Sequence, residues 1–173
     1  MSFILETERL IMRELKTTDA SGMFELDSNP NVMRYLGGKT VESIAVSESI
    51  IRMDQEQYAK NGIGRYAVIR KETNEFIGWS GIKYVSEPEN NFVNFYDLGY
   101  RLTEQHWGKG YGYECALPWI DHAFNTMKID KLNADAHIEN IGSNKILQKL
   151  GFQFLNHYEW EGYPFNWYEL KNT

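Results

Sequence analysis

Trp107-Gly108-Lys109-Gly110-Tyr111-Gly112 stands between a stretch that reads as a strand and one that reads as a helix. Glycines at alternate positions let successive backbone N–H groups converge and let a ligand approach with no Cβ in the way. At a helix start those donors and the positive end of the macrodipole favour an anion, typically a phosphate. The plain alternative is a flexible strand-to-helix turn. Two familiar phosphate loops do not fit. A P-loop needs Gly-Lys followed by Ser or Thr, whereas Gly108-Lys109 is followed by Gly110. A dinucleotide loop needs Gly-x-Gly-x-x-Gly, and Tyr113 holds the third glycine position.

Upstream of the loop, Leu10–Leu15, Tyr66–Ile69, Phe76–Val85 and Phe92–Leu102 read as strands, the last three consecutive and therefore antiparallel. Thr17-Thr18-Asp19 supplies cap residues for a helix through about Asp27, and Asn29-Pro30-Asn31 signals a turn. Ile44, Ile51 and Tyr58 recur every seven residues, predicting an amphipathic helix over Val41–Tyr58 that stops near Asn61-Gly62. Downstream, Gly112–Met127 has helical spacing, with Pro118 as a kink. Leu132–Ile138 is a strand, and Asn140–Leu150 is a helix stopped at Gly151-Phe152. Phe152–Trp160 and Phe165–Leu170 close the chain as a strand pair around Gly162-Tyr163-Pro164. The fold class is α+β (mixed α/β): a mixed, mostly antiparallel sheet of about six to seven strands flanked by helices, with a strand–helix–strand–helix unit behind the loop.

The 173 residues make one domain, 1–173, with no linker or repeat to divide it. Cys115 is the single cysteine, so no internal disulfide or thiolate zinc cluster can form, which points to a reducing compartment, the cytoplasm. The start lacks a basic n-region, and no run of about 18 apolar residues exists to span a membrane. A net charge of −6 without a basic run argues against nucleic acid and suits a cationic or amine substrate, or serves solubility alone. The four histidines, 106, 122, 137 and 157, show no metal-ligand spacing, so no metal is expected.

Four motifs in order resemble the GNAT N-acetyltransferases: Thr7-Glu8-Arg9-Leu10 with Arg13, Leu98-Gly99-Tyr100-Arg101-Leu102, the glycine loop, and Glu139-Asn140-Ile141-Gly142-Ser143 ahead of Leu150-Gly151-Phe152. The loop is similar to that family's Gln/Arg-x-x-Gly-x-Gly/Ala pyrophosphate loop. Trp107 replaces the usual Gln or Arg, as in the branch that acetylates the N-terminal amines of ribosomal proteins. The resemblance runs from Thr7 to about Leu170. It implies a GNAT fold, acetyl-CoA as cosubstrate and a primary amine as acceptor, either a peptide N-terminus or a small amine. It also implies that the segment Trp107, Gly108, Lys109, Gly110, Tyr111, Gly112 and Tyr113 holds the CoA pyrophosphate. By the same resemblance Leu102 and Thr103 pair with the pantetheine arm, and Asn140 reaches the pantetheine or acetyl region. The other reading of Asn140 is a helix N-cap bonding the Ser143 amide.

The chemistry requires a proton acceptor for the ammonium and a donor for the departing thiolate. Many relatives use a tyrosine on the last helix; Leu147 stands there, and Ser143 matches the serine of the ribosomal-protein branch. Asp97, two residues before Gly99, is the best-placed carboxylate for a base, or else a solvent-facing strand residue. Glu87 and Glu89 on a loop either meet a substrate cation or are solvated, and Glu114 suits a helix first turn. His106 either flanks the CoA loop or is a surface histidine, and Cys115 reads as a packed thiol. A non-catalytic acyl-CoA-binding module is the alternative, and the oligomeric state is open between monomer and homodimer.

Overall fold

The computed structural model describes residues 2–173, and its elements run β1 (Ile4–Glu6), β2 (Leu10–Glu14), α1 (Ala20–Ser28), α2 (Pro30–Met33), α3 (Ile44–Asn61), β3 (Arg65–Arg70), β4 (Glu75–Val85), β5 (Phe95–Leu102), α4 (Tyr111–Asp121), β6 (Lys131–His137), α5 (Ile141–Lys149), β7 (Gln153–Trp160) and β8 (Tyr163–Lys171). The strands form one sheet ordered β1-β2-β3-β4-β5-β6-β8-β7, antiparallel throughout except for the β5–β6 pair. The count is therefore eight, not six or seven. The extra strand, β1, has three residues, too few for alternation to register.

Local chemistry accounts for the other departures. Asp19 does not cap α1 directly. Its carboxylate accepts from the Lys16 amide at 2.8 Å and from both ends of the Arg13 guanidinium at 2.8 and 2.9 Å, closing a 3₁₀ turn ahead of the helix. Asn29-Pro30-Asn31 opens the short α2: Pro30 occupies its first turn and the Asn29 side chain accepts from the Asn31 amide at 2.9 Å. Helix α3 stops at Gly62, whose φ of +70° provides the left-handed cap. β5 begins at Phe95 rather than Phe92 because Asn90, Asn91 and Asn94 all adopt positive φ, bending the chain before it enters the sheet. The α4 segment continues past Pro118 but ends as a π-helical turn over His122–Thr126, where the Met127 amide reaches the His122 carbonyl.

Both faces of the sheet are covered. Tyr66 and Val68 of β3 pack with Leu98, Trp119 and Leu147 on the α4–α5 face, while Ala67 and Ile69 pack with Met23, Leu26 and Ile51 on the α1–α3 face. A strand buried on both sides reads as an unbroken apolar run, which is why Tyr66–Ile69 was so visible. Among the described residues no helix is long and apolar enough to cross a membrane.

One feature of the sheet positions the site. Strands β5 and β6 are in register only at Asp97 and Asn133. Beyond that pair no further β5–β6 register forms, so β5 from Leu98 to Leu102 is in register with β4 on one side and with no strand on the other.

Candidate active site

The glycine loop lies beside the open edge of β5. Gly108 and Gly110 have φ of +69° and +83°, a region that L side chains enter at a cost of roughly 1–2 kcal/mol. A Cβ on Gly108 would meet nothing within 4 Å, and one on Gly110 only the Arg9 guanidinium at 3.3 Å, so this turn presents its backbone to the outside. Gly112 differs. A Cβ there would come within 3.0 Å of Ile146 and 3.1 Å of the Tyr100 ring, so this glycine lets α4 close on β5 and α5 rather than on a ligand.

A latch from the other end of the chain holds the loop. The Arg9 guanidinium donates to Glu114 Oε2 at 2.7 Å and to the Lys109 carbonyl at 3.0 Å, and its cation lies 4.2 Å over the Tyr111 ring. The Thr7 hydroxyl and the Arg9 amide both donate to Glu114 Oε1, at 2.6 and 2.9 Å. Burial alone would raise the Glu114 carboxyl, but the Thr7 and Arg9 bonds outweigh it and hold it below the usual carboxylate range. Glu114 is thus more than a helix first-turn charge.

Of the two residues expected along the arm, only Leu102 faces the gap. The Thr103 amide donates to the Ile77 carbonyl on the β4 side at 2.9 Å, and its hydroxyl meets His106 Nδ1 at 2.6 Å. His106 is itself buried beside the loop against Tyr111 rather than on the surface, and desolvation lowers its pKa. The Trp107 indole donates to the Leu102 carbonyl at 2.8 Å, so the residue replacing Gln or Arg pins the strand end beside the loop. Cys115 is fully buried, its thiol pushed up to about 12 by burial.

Asn140 is the N-cap of α5, its side-chain oxygen accepting from the Ser143 amide at 3.2 Å. Ser143 sits in the first turn, with its hydroxyl 3.1 Å from that of Tyr100 on β5. Tyr100 was missed as a site residue because nothing in sequence links positions 43 apart. Beneath them the buried Asn144 is completely bonded: Nδ2 donates to the His137 and Asn140 carbonyls, and Oδ1 accepts from Tyr168 and Asn166.

Asp97 does not stand free. Its carboxylate pairs with Arg65, whose Nη1 also donates to the Asp97 carbonyl at 2.9 Å and the Gly81 carbonyl at 2.6 Å. The Asp97 carboxylate is therefore engaged by a guanidinium that also bridges two backbone carbonyls. Loop residue Glu89 is half-buried and accepts from the Tyr158 hydroxyl at 3.0 Å, so it is not simply solvated. The same hydroxyl reaches Asp135 of β6.

Residues 9–153 match the family model for the acetyltransferase (GNAT) domain. The chain is 32% identical over 151 residues to the uncharacterized N-acetyltransferase YoaA of Bacillus subtilis, covering 87% of this chain and 82% of that protein. It is 31% identical over 149 residues to the uncharacterized N-acetyltransferase p20 of Bacillus licheniformis, covering 86% and 82%. Among solved structures, RimL, a ribosomal L7/L12 α-N-protein acetyltransferase in complex with coenzyme A, superposes with a TM-score of 0.82 at 17% identity over 98% of each chain.

Proposed function

Because the chain belongs to the GNAT acetyltransferase family and is an acyltransferase, we propose that it moves the acetyl group of acetyl-CoA onto a primary amine, a peptide N-terminus or a small amine. The observation that carries this reading is the open turn at Gly108 and Gly110, latched by Arg9 and Glu114, next to the unpartnered edge of β5. The residues fit the cosubstrate. Two positive-φ glycines, Gly108 with nothing over it and Gly110 with only the Arg9 guanidinium near, leave the turn from Trp107 through Lys109 and Tyr111 to Tyr113 open to a pyrophosphate at the N-terminus of an 11-residue helix. The diverging edge suits an extended arm of amides, which would add to β5 as a strand does at Leu102; the Thr103 amide, held by Ile77, takes no part.

Bound acetyl-CoA supplies an activated acyl thioester. The residues of this chain do the rest. The glycine loop and Lys109 bind the anion, and the latch fixes their geometry. Asn140, as N-cap, sets the first turn of α5 and so the position of Ser143. Ser143, bonded to Tyr100, offers a hydroxyl to the leaving sulfur. Asp97 orders Arg65. The single cysteine, free and buried, agrees with a cytoplasmic enzyme, where we place it.

The experiment is thiol release from acetyl-CoA against short peptides with free N-termini, polyamines and aminoglycosides. Amine-dependent release supports the proposal. Tight acetyl-CoA binding with no release from any of them would favour an acyl-CoA-binding module.

A further inference from the structure

The two faces of the sheet beside the β5–β6 gap carry different chemistry. Alternation along β6 puts Leu132, Ala134 and Ala136 in the core under α4 and α5, and therefore Asn133, Asp135 and His137 on the α1–α3 face. By the same alternation Tyr100 packs toward α5, while Asp97 and Arg101 point the other way. Ser143 and Tyr100 thus flank one side of the opening, and Asp135 the other.

Asp135 and Glu89 both contact the hydroxyl of Tyr158. A phenol has one proton and can donate to one carboxylate at a time. If both carboxylates are ionised, one of these oxygen–oxygen contacts has no proton in it, so the arrangement lacks one proton or one cation. Around it stand Asp97, Arg65 and Lys83, with His137 further along β6. Arg65 is taken by Asp97. One further acceptor lacks a partner on the same side: Asn133 is fully buried, in register with Asp97 and two residues from Asp135, and its side-chain oxygen accepts no hydrogen bond. An uncompensated buried acceptor beside these carboxylates is a place for a ligand that only donates. Among the described residues no three His, Cys, Asp or Glu side chains are grouped so as to hold a metal ion.

We propose that Asp135, Glu89 and Tyr158 receive the ammonium group of the acceptor amine and that Asp135 takes its proton, an assignment that rests on the acetyltransferase reading. The ammonium supplies the missing positive charge. One N–H proton passes to the Asp135 carboxylate, and the freed lone pair attacks from the α1–α3 face. The N–C bond forms, the C–S bond breaks, and sulfur leaves as thiolate on the Ser143 side. The second N–H proton neutralises that thiolate through solvent, and the Asp135 proton returns to water. Burial, then the charge of Asp97, pushes the Asp135 carboxyl up to about 7, and burial also raises Glu89. A proton acceptor poised there suits an amine at neutral pH.

Two measurements test this. Carboxyl ¹³C NMR titration of the protein alone should show a near-neutral carboxyl, absent in Asp135→Asn. Ethylammonium chloride should lower its midpoint relative to sodium chloride at equal ionic strength, less so in Glu89→Gln. In thiol-release assays, Asp135→Asn should lose about 10²-fold in kcat and the pH dependence near 7, with acetyl-CoA binding unchanged. A midpoint indifferent to ethylammonium, or an Asp135→Asn kcat within about twofold of wild type, overturns the assignment. If the wild type acetylates no amine yet the midpoint shifts, the acetyltransferase reading falls while the ammonium site stands.

Discussion

The hydroxyl oxygens of Tyr100 and Ser143 lie 3.1 Å apart, joining a strand that borders the opening to the first turn of α5. Burial pushes the Tyr100 phenol up to about 12, so it stays protonated at neutral pH and can donate to the Ser143 oxygen. Ser143 then keeps its own proton for the sulfur. A serine hydroxyl is a weak acid, so its contribution belongs at the low end of general-acid effects, about 10²-fold. Ser143→Ala should lower kcat and kcat/KM together by about that factor, with acetyl-CoA affinity near wild type. Tyr100→Phe should cost about tenfold by the same route, since a lost neutral hydrogen bond is worth about 1–1.5 kcal/mol. Steady-state kinetics beside calorimetry separates these from folding defects. A Ser143→Ala kcat within about twofold of wild type, with chemistry rate-limiting, would leave Ser143 as a helix-start residue.

The two glycines of the loop should respond differently. Gly110→Val places a branched side chain over the open turn at positive φ. We expect at least about tenfold weaker acetyl-CoA binding, with about 1–2 kcal/mol of stability lost. Gly112→Val instead meets the Tyr100 ring and Ile146, and overpacking of this kind costs about 1–3 kcal/mol. Its Tm should fall by several degrees through the α4–β5–α5 contact, with affinity reduced only as far as the loop is displaced. Calorimetry paired with thermal unfolding reads both. Intact CoA affinity in folded Gly110→Val defeats the loop assignment.

The seven longer strands and the glycine loop were legible because each is a local pattern: period-two apolarity, a glycine alternation, a cap. What escaped depends on chain folding. Arg9 and Glu114 are 105 residues apart, and neither announces the other. The divergence of β5 from β6 leaves no mark in either strand, and Asp97 looked free because Arg65 is 32 residues away. One signal was present but unused. Leu132-Asn133-Ala134-Asp135-Ala136-His137 puts three polar side chains on one face of a strand, and a polar row on a central strand marks a site more readily than surface. Glu89 was noticed, but its loop position hid the hydroxyl of Tyr158 that draws it inward.

A raised carboxyl also leaves a trace in stability. The unfolded Asp135 loses its proton near pH 3.9 and the folded one only at about 7. Between those values the folded state binds more protons than the unfolded state, so the contribution of this group falls as pH rises through that window. Wild type minus Asp135→Asn removes the other titrating groups from the comparison. Urea unfolding at pH 5 and pH 8 should show the wild type losing more stability than the variant over that interval. Equal losses would place the Asp135 carboxyl at an ordinary value.

The strongest single side-chain dependence of the fold should be Asn144. Its carboxamide accepts from Tyr168 Oη at 2.6 Å and Asn166 Nδ2 at 2.8 Å, and donates to the His137 and Asn140 carbonyls at 2.9 and 2.8 Å. It therefore ties α5 to β6 and β8 with every polar atom used. Asn144→Leu fills a similar volume but leaves the Tyr168 hydroxyl, on a side chain only 1% exposed, without its acceptor. Orphaned buried groups cost about 1–3 kcal/mol each, so we expect about 3 kcal/mol overall and a fall in Tm of roughly 6–12 °C. Adding Tyr168→Phe removes the orphaned hydroxyl and should restore part of the loss, whereas independent sites would add. Because the same helix turn carries Ser143, kcat should fall in Asn144→Leu even where the protein is fully folded. A double-mutant cycle by urea denaturation reads the coupling, and a coupling near zero would mean that the Asn144–Tyr168 bond does not hold α5 in place.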